Sequence, residues 1–90
     1  MHREDAMASV DDRLNEARLI EKALTRIKDI SSSRSADEVT YRFGLATGYI
    51  AAILHAGVID EARREELLIL VEQTQESHPL SNGASGRFDL

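Results

Sequence analysis

Ninety residues with no cysteine, 11 Lys and Arg against 16 Asp and Glu, and a net charge of -5 describe one small acidic domain. This composition excludes disulfides, thiolate zinc sites and thiol nucleophiles, and it supplies little of the positive charge that binding to nucleic-acid phosphates requires. A chain so short buries only about 60–65% of its unfolded surface, so reinforcement by another chain is expected.

Met1 to Ser9 carries Arg3, Glu4 and Asp5 and no apolar run, which reads as the absence of a secretory signal. Residues 1–8 are expected to be a flexible N-terminus, 9–76 a three-helix domain and 77–90 a flexible C-terminal tail. The first helix is predicted from about Val10 to Ile30, with Ser9 as N-cap and Asp12 as the acidic partner of a capping box. Val10, Leu14, Ala17, Ile20, Leu24 and Ile27 recur at helical spacing, and Leu19, Ala23 and Ile30 widen that stripe. Acids early (Asp11, Asp12, Glu16) and bases late (Lys22, Arg26, Lys28) suit the helix macrodipole.

Ser31 to Ser35 reads as a polar linker, and Ser35 with Glu38 makes a capping box for a second helix over Ala36 to Ala56. After Arg42 no charged side chain occurs until Asp60, and small or apolar residues fall on every side of that helix. A helix apolar all round is normally buried all round, yet two partner helices cannot surround it. The fold class expected is therefore all-α, a small three-helix bundle with a central apolar helix, and dimeric. The uncharged stretch from Gly44 to Ile59 is too short to cross a bilayer, so no membrane association is expected. The chain reads as soluble and cytoplasmic.

Gly44 and Gly48 stand one helical turn apart and Ala52 continues their row, a flat strip on which another backbone could come close. Helix 1 or helix 3 of the same chain could also fill it. Each helical glycine costs about 1 kcal/mol relative to alanine, so a close approach is expected somewhere. Tyr41, Phe43 and Tyr49 lie on the same helix, and a tyrosine suits either an interface rim or a core.

Gly57 and Val58 read as a Schellman stop, with Val58 packing back on Ile53. Asp60 should cap a third helix reaching about Gln75 and should pair with Arg64. Leu67, Leu70, Val71 and Thr74 are its predicted core face, which leaves Leu68 and Ile69 needing other cover. The segment Ile53 to Leu67 resembles a DNA-binding helix-turn-helix in outline. Between Asp60 and Glu76, however, six acids face two arginines, and a recognition helix so charged would be repelled by phosphate.

His2, His55 and His78 are far apart, and no helix face offers a His and carboxylate at metal-ligand spacing. No serine has a nucleophile-elbow context and there is no phosphate loop. No catalytic residue, metal or cofactor is therefore expected. What remains is protein binding by a small adaptor, inhibitor or chaperone-like accessory protein, as a homodimer or with a partner protein. Tyr41, Gly44, Leu45, Gly48, Tyr49, Ala52, Leu68 and Ile69 are the expected interface. Asp60, Glu61, Glu65 and Glu66 form an acidic face that would steer a basic partner. The alternative is a dimeric regulator of transcription that touches nucleic acid through Arg13, Arg18, Lys22 and Arg26. A third reading is a small-molecule carrier with a cavity between helices 2 and 3.

Overall fold

The computed structural model describes the backbone of residues 2–80 and the side chains of residues 13–80. They form three helices, α1 (His2–Ser31), α2 (Ala36–His55) and α3 (Glu61–Glu76), and no strand occurs among the described residues. Each helix packs against the other two. The chain is a three-helix bundle.

The helix ends follow local chemistry. At the start of α2 the Ser35 hydroxyl accepts the Glu38 N–H at 3.0 Å. The Glu38 carboxylate reaches back one residue further than a standard capping box and accepts the Arg34 N–H at 2.6 Å. At its end the Val58 N–H bonds the Ile53 carbonyl at 2.8 Å and the Gly57 N–H bonds that of Leu54 at 2.9 Å. These are the two bonds of a Schellman motif, and they require the left-handed backbone that Gly57 adopts at φ 79. The Asp60 carboxylate accepts the Arg63 N–H at 2.9 Å and so caps α3. Because that carboxylate is occupied, Arg64 pairs with Glu61 at 2.8 Å and with Glu65 at 3.8 Å, and the predicted Asp60–Arg64 pair is not formed.

α1 departs from expectation at its beginning. It starts at His2, ahead of the predicted Val10, so Ser9 lies inside the helix and not at its N-terminus. No glycine or proline stands between His2 and Ser9 to stop it earlier. Its 30 residues make a rod of about 45 Å, longer than either neighbour.

The core joins Ala23, Ile27 and Ile30 of α1, Val39, Ala46, Ile50 and Ile53 of α2, and Leu67 and Val71 of α3. Ile59, in the α2–α3 link, closes it at one end. On α1 the packed line is Leu19, Ile20, Ala23, Ile27 and Ile30, whereas Leu14 and Leu24 of the predicted stripe are 58% and 39% exposed. The apolar band on this helix is wider than one contact, and the position of α2 and α3 selects its edge. α3 also departs from its predicted phase. Leu68 packs against the core and Leu70 is exposed, reversing the roles the sequence suggested.

Arg42 ties α2 to the end of α1 by donating to the Asp29 carbonyl at 2.9 Å. The Arg26 guanidinium lies 4.3 Å from the centre of the Tyr49 ring, a second link between the same helices.

Candidate interaction surface

Two faces of α2 lack charge beyond Arg42 but differ in their surroundings. The inner face carries Val39, Ala46, Ile50 and Ile53, all buried. The outer face carries Tyr41, Gly44, Leu45, Gly48 and Ala52, and all five are exposed. They recur at intervals of three and four residues, so they share one side of the helix. Tyr41 is 65% and Leu45 44% exposed, large values for apolar bodies on so small a domain.

The glycines define the strip. A Cβ placed at Gly44 or Gly48 would meet no atom within 4 Å. Among the described residues, neither α1 nor α3 uses the close approach these glycines permit. Between Arg42 and Asp60 no charged residue borders the strip. A helix laid along Gly44 to Ala52 would meet backbone and methyl groups, with exposed Asp37 one turn before Tyr41 on the same side.

The remaining expected interface residues do not all join this surface. Tyr49 is half-buried, packed on the core beneath Arg26, and Leu68 is likewise packed on the core. Both belong to the fold. The cause is helical phase, because each stands on the inner side of its helix at a spacing that sequence alone leaves open. Ile69 is 50% exposed, on α3.

The acidic residues are exposed but engaged. Besides the Asp60 cap and the two bonds of Arg64, Arg63 bonds Glu66 at 3.0 Å. Both arginines of α3 are thus spent on their own helix, and the surplus of acid remains. The basic residues of α1 are also partly committed, since Arg26 stacks on Tyr49 and donates to the Lys22 carbonyl at 3.3 Å.

His55 is exposed at the end of α2, whereas His78 is buried. Its placement was not legible, since it was expected within a flexible tail. The rest of that tail, 81–90, lies outside the described residues, including Phe88 and Leu90. A pocket of about 150 Å³ adjoins His78 and is lined by Ser31, Thr74, Ser77 and Pro79. It lies between the ends of α1 and α3, not between α2 and α3. Among the described residues no group of three or more His, Cys, Asp or Glu side chains could hold a metal ion. No described helix is long and apolar enough to cross a membrane. Comparison with protein-family models, curated proteins and solved structures finds no match to this chain.

Proposed function

We propose that this chain is a non-enzymatic interaction module that docks a helix along the outer face of α2, and that a second copy supplies that helix in a two-fold dimer. One observation carries the reading. Two glycines on the exposed side of a helix cost about 1 kcal/mol each, and among the described residues nothing stands within 4 Å of where a Cβ on either would be. Close backbone approach by another helix is the physical use such a row has. A two-fold arrangement buries one patch against itself, and an uncharged strip brings no like charges together when it does so.

The strip is modest in size. A helix of 20 residues presents a band about 30 Å long and one helix wide, a few hundred Å² per partner against the ~800 Å² of a standard stable interface. Association through it is weak and exchanging unless a larger partner extends the contact. The acid surplus on α3 would favour a partner with a basic patch, and would act on encounter rate more than on affinity.

Sedimentation equilibrium across the micromolar to millimolar range tests the reading. The mass of the native chain should rise towards two copies with concentration. Gly48→Leu should keep the helical circular dichroism and hold the mass at one copy. A native chain that stays at one copy throughout would remove the dimer, and an unchanged mass curve for Gly48→Leu would remove the strip.

A further inference from the structure

Ser33 and His78 are the two polar residues buried among the described ones, and they meet. The ring Nε2 of His78 lies 3.0 Å from the Ser33 carbonyl oxygen, across 45 residues of sequence. Its Nδ1 lies 3.1 Å from the Leu80 backbone nitrogen. A backbone N–H only donates, so Nδ1 must accept and carries no proton; the proton sits on Nε2 and is donated to Ser33. The network thus selects one tautomer of the neutral ring.

We infer that His78 is a proton-operated clasp, which holds the Leu80 amide, two residues along the chain and beyond the end of α3, only while the imidazole is neutral. An imidazolium ring donates from both nitrogens. Its Nδ1–H would point at the Leu80 N–H, donor against donor, and that bond must break. The bond to Ser33 survives, because Nε2 donates in either state. Protonation therefore releases one side of the clasp and keeps the other, so that the ring stays on the α1–α2 turn and the chain at Leu80 lets go.

Ser31, Thr74, Ser77 and Pro79, which line the pocket beside the His78 ring, are uncharged. The charged groups on the packed segments are Lys28 and Asp29 of α1, Arg34 in the turn, Glu38 and Arg42 of α2, and Glu72 and Glu76 of α3. All are exposed except Glu38 and Arg42, which are half-buried and bonded to each other.

Nuclear magnetic resonance of the full chain tests this, with exposed His55 as an internal reference. At neutral pH the long-range proton–nitrogen spectrum should show the His78 proton on Nε2. On acidification the Leu80 amide signal should move on the same curve as the His78 ring. Its exchange rate, corrected for intrinsic chemistry, should rise on the order of tenfold. His78→Asn keeps an acceptor near the Nδ1 position and cannot charge, so the Leu80 signal should cease to titrate. His55→Gln should change nothing at Leu80. An Nδ1–H tautomer at neutral pH, or a Leu80 amide unmoved while the ring titrates, would overturn the proposal. Should the Asn variant fail to fold, the native titration decides alone.

Discussion

The inner and outer faces of α2 are both uncharged from Phe43 to His55, yet one is buried in the core and the other is exposed among the described residues. Val39, Ala46, Ile50 and Ile53 are each at most 4% exposed, whereas Tyr41 and Leu45 are 65% and 44% exposed. Branched aliphatic residues fill the inner face, where shape fixes packing density. Glycine and alanine dominate the outer one, where they contribute little to the folding of a single chain. On the proposed reading the inner face serves the fold and the outer face serves association, and substitutions on the two faces should separate them.

The largest effect is expected on the inner face. Ile50 is fully buried, so Ile50→Ala should cost about 2–5 kcal/mol by denaturant unfolding. A loss below ~1 kcal/mol would mean that the inner face is not the core. A smaller effect comes from Gly57, whose φ of 79 suits no other residue well. Gly57→Ala should lose about 1–2 kcal/mol, although a Cβ there meets no atom within 4 Å. Ser35→Ala, which removes the α2 cap, should cost about 1 kcal/mol, read from the unfolding midpoint.

The sharpest contrast is the smallest in size. Gly48 also has open space where a Cβ would stand, but it lies within a helix that any residue can adopt. Gly48→Ala should therefore raise the stability of the single chain by up to ~1 kcal/mol while weakening self-association. Two glycines of one chain, given the same substitution, are expected to respond with opposite sign. Loss of stability at Gly48 measured at dilution would show that the outer face does belong to the fold.

Much of the architecture was legible because it is local. Ser35, Gly57 and Asp60 each satisfy backbone groups within a few residues of themselves, and a cap or a left-handed stop is written in the neighbouring sequence. The rotation of α1 and α3 was not legible. Each carries more apolar residues than one face can bury, so Leu24 and Leu70 stand outside while Leu19 and Leu68 pack within. The candidate surface was read in part. Tyr41, Gly44, Leu45, Gly48 and Ala52 fall together on the outer face, but Tyr49 faces Arg26 across the α1–α2 contact.

His78 marks the boundary between the two kinds of knowledge. Its neighbours in sequence, Ser77 and Pro79, have the composition of a loose segment, and its partner Ser33 sits in a linker of similar character. By itself the sequence determined three helices, where two of them are capped, and an excess of apolar surface on the second. Only the tertiary structure decided which stripe of each helix turns inward, and that Gly44 and Gly48 remain open. It also brought two polar linkers together around one imidazole ring. Caps and turns depend on hydrogen bonds between near neighbours, whereas helical phase and distant polar contacts depend on how three rods share one core.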